Sequence, residues 1–148
     1  MRYVMAHKWS PLARFDITDE AGSVAFQVRG DFDASMTLRD PAGRAVATIT
    51  ADTRTGGFYR VEANSSRARL RRWWGSGGPY QIVSNEGELT ASGSGLHLSL
   101  ARDGSVIASM SRKFSLREKL AVDIADNQDA AFILAIMLTM HATHAPRR

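Results

Sequence analysis

The segment DAAFILAIMLTMHA, residues 129–142, constrains the fold of this chain more than any other. Its large apolar side chains fall on every face of a helix, and a helix that is apolar all round is buried all round. The apolar run is also far shorter than the ~20 residues that a membrane-spanning helix needs, so we expect the helix inside a protein core. The residues concerned are Phe132, Ile133, Leu134, Ile136, Met137, Leu138 and Met140.

Capping chemistry predicts where this helix begins. Asp126 is the predicted N-cap, with Asp129 in the capping-box position, so the helix should start around Asn127 and end near Ala142.

The rest of the chain alternates short strand-like runs with turn sequences. Four runs carry Asp, Asn or Glu just ahead of Gly, in DEAG, DPAG, NEG and RDG, and each is predicted to form a β-hairpin. Turn signals about every 8–12 residues indicate an antiparallel sandwich or barrel. About a dozen strands can bury the apolar helix on all faces if they close into a barrel with the helix inside. The fold class is therefore mainly β, a closed antiparallel barrel around a buried C-terminal helix.

Composition narrows the chemistry of the chain. Its 148 residues suit a single domain, predicted to span 1–148 with a flexible tail at 143–148. The absence of cysteine excludes disulfides, a thiol nucleophile and cysteine-based zinc sites, and no cofactor is predicted. A net charge of +4 favours anionic partners. Because neither a secretory signal nor a transmembrane segment is recognisable, we expect a cytoplasmic protein, with peripheral membrane association as a further expectation.

Several segments together resemble the LURP-one-related family of the tubby C-terminal-like superfamily. In chain order they are MRYVMAHKW, FDITDEAGSVAFQVRG, LRDPAGRAVATI, RARLRRWW, SVIASMSRKF and AVDIADNQDAAFILAIMLTM. The resemblance covers essentially the whole chain and implies a twelve-stranded barrel around a central helix. It also implies kinship with tubby proteins, which bind phosphoinositide head groups, and distant kinship with phospholipid scramblases. It implies no catalytic site.

The run RARLRRWW is the strongest candidate for a binding surface. A strand period of two places Arg67, Arg69 and Arg71 on an exposed face, with Ala68 and Leu70 buried on the other. Arginine pairs bidentately with phosphate, so this row predicts a site for anionic lipid head groups. The alternative is a solvated edge strand whose positive charge prevents edge-to-edge pairing.

The end of this run and a second basic cluster complete the candidate lipid site. In a regular strand Trp73 continues the arginine face, while Arg72 and Trp74 follow the buried row. Tryptophan prefers the membrane interface. Arg112 and Lys113 belong to the second cluster, whose position relative to the first is left open.

An acidic segment, DIADNQD, precedes the helix. In scramblases an acidic segment before the corresponding helix is associated with calcium, so the resemblance makes Asp123, Asp126 and Asp129 calcium candidates. Their spacing lacks the pattern of an EF-hand loop, and helix capping is the better explanation. No metal site is predicted.

Three classes of function stay open. The first, which we predict, is a non-enzymatic binding or scaffold module that engages anionic lipid or an unknown protein partner. The second is a nucleic-acid-binding or transcription-linked module, which the positive charge would also suit. It is disfavoured because the long helix is buried and no helix is left to enter a groove. The third is an enzyme, although no catalytic motif is recognisable.

Overall fold

A computed structural model describes residues 1–6, 12–52, 57–72, 80–94, 97–112 and 119–144 of the chain. These residues form twelve β-strands and one α-helix. The elements are β1 (Arg2–Ala6), β2 (Leu12–Thr18), β3 (Val24–Asp31), β4 (Ser35–Arg39), β5 (Ala45–Asp52), β6 (Phe58–Ala63), β7 (Ser66–Arg72), β8 (Tyr80–Ser84), β9 (Leu89–Ser94), β10 (His97–Arg102), β11 (Ser105–Arg112), β12 (Lys119–Ile124) and α1 (Ala130–His144).

The strands form a single antiparallel sheet that curls into a barrel. Its order is β8-β7-β6-β5-β4-β3-β2-β1-β12-β11-β10-β9, so the first and last strands of the chain are neighbours. They pair from Arg2 opposite Asp123 to Ala6 opposite Lys119. The predicted mainly β antiparallel barrel is confirmed. It is nearly closed rather than fully closed, because β8 and β9 contact each other but do not pair.

The whole of the apolar helix lies in the core that the barrel encloses. Every residue from Phe132 to Met140 has none of its surface exposed. The helix contacts β5, β6, β7 and β12. Thr139 is polar, but its hydroxyl donates to the Ala135 carbonyl at 2.8 Å and is satisfied within the helix. The prediction of a helix buried on all faces is confirmed.

The start of α1 differs from the prediction. The helix begins at Ala130, and Asp129 is its N-cap, because Asp129 Oδ1 accepts a hydrogen bond from the Phe132 amide at 3.3 Å. Asn127, the predicted first helical residue, has a φ of 71°, in the left-handed region that no right-handed helix uses. Asp126 and Asp129 offer the same capping chemistry, so residue type alone did not separate them.

Three of the four predicted hairpins are confirmed. DEAG joins β2 to β3, DPAG joins β4 to β5, and RDG joins β10 to β11. The fourth prediction is wrong, because NEG lies between β8 and β9, which do not pair. The connection that contains NEG forms hydrogen bonds with the turn before β7 and with the turn between β10 and β11 instead.

The two halves of the barrel repeat each other. The segments LRDPAGRAVATI and LARDGSVIASM form the equivalent pairs β4–β5 and β10–β11. In each half, glycines of positive φ follow in the same order, at a first turn, inside a strand and at a second turn. They are Gly22, Gly30 and Gly43 in the first half and Gly87, Gly93 and Gly104 in the second, and the first half has a further glycine of positive φ, Gly57, before β6. Thus β1–β6 and β7–β12 are quasi-equivalent, and β7 is the counterpart of β1.

The two strand glycines share one steric requirement. A Cβ atom at Gly30 would lie 2.4 Å from the Ser35 carbonyl oxygen, and one at Gly93 would lie 2.1 Å from the His97 carbonyl oxygen. Both positions therefore need a residue without a side chain. The same close approach at equivalent positions supports the quasi-equivalence of the halves.

Candidate functional site

Strand β7 has the two-faced character that its sequence predicts. Ala68 and Leu70 are buried in the barrel core. Arg67 and Arg69 are exposed, and Arg71 is partly buried on the same outer side. The arginine row therefore lies on the outside of the barrel wall, over an apolar inner row.

A phenylalanine of the neighbouring strand orients two of these arginines. Because Tyr59 of β6 pairs with Leu70, Phe58 lies on the outer surface across from Arg71. The Phe58 ring centroid is 4.4 Å from Arg69 Cζ and 4.7 Å from Arg71 Cζ. Each such cation–π contact contributes about 0.5–1 kcal/mol at an exposed site. The two guanidinium groups are thus held at a common ring.

Strand β6 also brings charge to this surface. Arg60 lies directly opposite Arg69, and Glu62 lies directly opposite Arg67. Like charges directly opposite each other destabilise a sheet, whereas opposite charges stabilise it. The Arg60–Arg69 pair therefore places two positive charges next to each other on this surface, with Asp52 of β5 opposite Phe58 at its border.

Strand β8 completes the surface with one polar and one apolar contact. Arg71 Nε donates a hydrogen bond to Gln81 Oε1 at 2.9 Å. Val83 lies opposite Arg69 and leaves 57% of its surface exposed. We call this outer surface the basic face and define it by Phe58, Arg60, Glu62, Arg67, Arg69, Arg71, Gln81 and Val83.

Arg72, another predicted ligand residue, contacts the end of the helix. Its Nη1 donates to the Thr143 carbonyl at 3.3 Å, where a cation interacts favourably with the helix dipole. Nearby, the Tyr80 hydroxyl donates to the Met140 carbonyl. Burial raises the pKa of Tyr80. Arg72 and Tyr80 therefore tie the C-terminal turn of α1 to β7 and β8.

Among the remaining candidates, the one that the structure describes is Arg112, and its strand does not pair with the strands of the basic face. Arg112 ends β11, which pairs with β10 and β12. Trp73, Trp74 and Lys113 lie outside the described residues.

The three calcium candidates have separate structural contacts. Asp123 accepts two hydrogen bonds from Arg2, at 2.8 Å and 3.1 Å, and this pairing raises the pKa of Arg2. Asp126 lies 4.0 Å from the Met1 amine with 94% of its side chain exposed, and Asp129 caps α1. In the described parts of the chain, no three His, Cys, Asp or Glu side chains are grouped to hold a metal ion. Calcium binding at these three residues stays only an implication of the family resemblance.

The basic face has a counterpart on the other half of the barrel, formed by β12, β1 and β2. The two surfaces match at the end where β1 and β7 begin. Arg2 lies opposite Asp123 in the counterpart, as Arg67 lies opposite Glu62 in the basic face. The shared pair of one arginine and one carboxylate belongs to the repeat itself, so it carries no information about function.

Two residues further along, the two surfaces differ. Val4 lies opposite Ala121 in the counterpart, where Arg69 lies opposite Arg60 in the basic face. The two positions have equivalent strand pairing, but Ala121 has none of its surface exposed whereas Arg60 is exposed, so the repeated framework itself does not require arginine there. The facing arginines are therefore a specific property of one side of the barrel.

Comparisons with known proteins agree with this architecture. The model of the LURP-one-related family matches residues 1–141. No curated protein sequence matches the chain. Among solved structures, the X-ray structure of a protein from Arabidopsis thaliana is similar with a TM-score of 0.65, covering 95% of this chain and 90% of that chain at 19% identity. At that identity the likeness concerns the fold alone.

The helix content bears on membrane association. Within the described ranges, no helix combines the length and the apolar character needed to cross a membrane.

Proposed function

The chain belongs to the LURP-one-related family, and we propose that it is a binding module that engages anionic phospholipid head groups through the basic face. The observation that carries the proposal is the stack of Arg69 and Arg71 on Phe58, with Arg60 opposite Arg69. This arrangement gathers positive charge on one outer surface. The module would be peripheral, at the cytoplasmic surface of a membrane.

The chemistry of the face suits a phosphate-bearing surface. Guanidinium groups bind phosphate oxygens bidentately, and a stacked guanidinium loses less conformational freedom on binding than a free one. Each arginine near an anionic membrane contributes about 1 kcal/mol. Val83 adds exposed apolar surface beside Arg69. A few such contributions give weak, reversible binding that falls as salt rises.

The test is sedimentation with vesicles of phosphatidylcholine alone and of phosphatidylcholine with about one fifth phosphatidylserine. We expect the wild-type protein to sediment with the anionic vesicles only. The double variant Arg69→Glu/Arg71→Glu should stay in the supernatant. The matched control, Arg14→Glu/Arg39→Glu, makes the same change of charge on exposed positions of β2 and β4 and should still sediment.

A third variant tests the stack itself. Phe58→Leu keeps every charge and removes the ring, so the two guanidinium groups are no longer held in place before binding, and the affinity for anionic vesicles should fall several-fold. The proposal fails if wild-type protein ignores anionic vesicles at low salt, or if both double variants lose binding equally. A parallel titration with single- and double-stranded DNA tests nucleic acid as the anion.

A further inference from the structure

Among the described strands, hydrogen-bonded pairing around the barrel is interrupted at one place, between β8 and β9, which we call the seam. These strands follow each other in the chain, yet they stand at opposite ends of the sheet order. Their counterparts in the first half, β2 and β3, pair along their length from Leu12 opposite Asp31 to Thr18 opposite Val24. The fold therefore accommodates a paired hairpin at this place, and the seam is a property of the second half alone.

The first half shows how the connection closes when the strands pair. The Asp19 amide donates to the Ser23 carbonyl at 2.9 Å, and Asp19 Oδ1 accepts from the amides of Ala21 and Ser23. All these bonds lie within the turn. They bring the ends of β2 and β3 together.

In the second half the start of the connection is bound to β7 and the turn before it. Asn85 exchanges two bonds with the backbone of Arg67, donating at 3.2 Å and accepting at 2.8 Å, and its side-chain amide donates to the Ser65 carbonyl at 2.8 Å. Glu86 Oε1 accepts from the Ser66 hydroxyl at 2.9 Å. The end of β8 is therefore held on the β7 side.

The end of the same connection is bound in the opposite direction. The Glu88 amide donates to Asp103 Oδ1 at 2.9 Å, and the Asp103 amide donates to the Glu88 carbonyl at 2.8 Å. Asp103 belongs to the turn between β10 and β11. The start of β9 is thus held on the β10 side, and specific hydrogen bonds hold the ends of β8 and β9 on different neighbours.

Backbone groups of β8 that do not pair with β7 are directed toward the seam. Because the Asn85 amide donates to the Arg67 carbonyl, the alternation of an antiparallel ladder directs the Val83 backbone toward β7 and that of Ile82 and Ser84 toward the seam. Among the described residues, no backbone hydrogen bond joins β8 to β9. Strand β8, YQIVS, also lacks the charged residues and proline that protect a sheet edge.

The charge beside the middle of β8 is positive, whereas Glu86 and Glu88 lie in the connection at the end of the seam. Arg71 extends over the outer surface of β8, where its Nε donates to Gln81 at 2.9 Å. Val83 on the same surface is exposed. We infer that the seam accepts an extended, acidic segment of a protein partner, which adds to β8 as a strand with acidic and apolar side chains over Arg71 and Val83. This goes beyond the proposed lipid binding, because the recognition uses the backbone of β8.

The test uses three fluorescently labelled synthetic peptides. One alternates Glu and Val, the second alternates Lys and Val, and the third repeats the first with proline at two central Val positions, which keeps the charge but prevents strand pairing. Fluorescence anisotropy should give the Glu–Val peptide an affinity at least about ten-fold above both others. Amide exchange measured by NMR should slow at Ile82 and Ser84 when this peptide is bound, and anionic vesicles should not slow it.

Two exposed valines provide matched variants. Val83→Glu places a like charge beside the incoming strand and should weaken the Glu–Val peptide about ten-fold or more. Val106→Glu makes the same change at an exposed position of β11 and should have little effect. The inference is overturned if the proline peptide binds as tightly as the Glu–Val peptide, if exchange at Ile82 and Ser84 is unchanged, or if both variants weaken binding equally. Vesicle binding is measured separately on the wild-type protein, so failure of the lipid proposal and failure of this inference are distinguishable.

Discussion

Among single residues, Asp129 determines where the central helix begins. It accepts a hydrogen bond from the Phe132 amide, whereas 94% of the Asp126 side chain is exposed. We expect Asp129→Ala to lower the free energy of unfolding by about 1 kcal/mol, because one of the free amides at the helix start loses its acceptor. Asp126→Ala should change it by less than about 0.5 kcal/mol. Urea denaturation measures both, and equal losses would contradict this assignment of the cap.

The arginine row could be predicted from the sequence, whereas the aromatic ring beneath it could not. The row follows from the period of two within a single strand. The position of Phe58 depends on the register of β6 against β7, which the two-residue turn Asn64–Ser65 sets. Asn64 has the positive φ of 55° that such turns need. Asn-Ser is a weaker hairpin signal than Asn-Gly, so this register was not recognised and Phe58 was missed.

At the scale of elements, α1 is the component on which the barrel depends. Leu134 is completely buried between the helix and the wall. Leu134→Asp would bury an unpaired carboxylate at a cost of several kcal/mol, comparable with the whole stability of a typical domain, so the variant should not fold. Leu134→Met conserves volume and should cost less than about 1.5 kcal/mol. Circular dichroism melts distinguish them, and a cooperative Leu134→Asp transition near that of wild type would contradict the buried helix.

The seam is an element-level feature that turn composition could not predict. NEG and DEAG have similar turn chemistry, yet only DEAG connects paired strands. The difference comes from the partners of Asn85 and Glu88, which lie in other turns brought close by the barrel. Such contacts depend on the assembled sheet. The confirmed hairpins, in contrast, are local.

Hydrogen exchange gives a direct prediction for the seam without any ligand. Ile82 of β8 and Ile17 of β2 are counterparts in the two halves, and Ile17 pairs with Phe26 of β3. We expect the Ile82 amide, which faces the seam, to exchange at least about ten-fold faster than the Ile17 amide. Native-state exchange followed by NMR measures both residues in one sample. Equal protection would mean that β8 and β9 pair in solution.

At the scale of the whole molecule, the barrel combines a repeated framework with one differentiated surface. The buried helix, the alternating strands and the turn glycines together indicated the architecture. Each is a local sequence pattern, and all of them are consistent with the same fold. The repeat itself was missed, although LRDPAGRAVATI and LARDGSVIASM carry its signal. Without the repeat, the arginines of β7 are only a charged strand. With it, Arg60 and Arg69 stand where the other half has Ala121 and Val4.

The repeat also supplies the most direct test that the basic face is the membrane-binding surface. Val83 lies opposite Arg69 as its counterpart Thr18 lies opposite Val4, so the two positions sit at equivalent places in the two halves of the barrel. Because the chain contains no cysteine, Val83→Cys and Thr18→Cys each carry a single site for an environment-sensitive fluorophore. With anionic vesicles the label at position 83 should brighten and shift to the blue, while the label at position 18 stays unchanged, and neutral vesicles should affect neither. An equal response at both positions, a response at position 18 alone, or no response at either would contradict the assignment of membrane binding to the basic face.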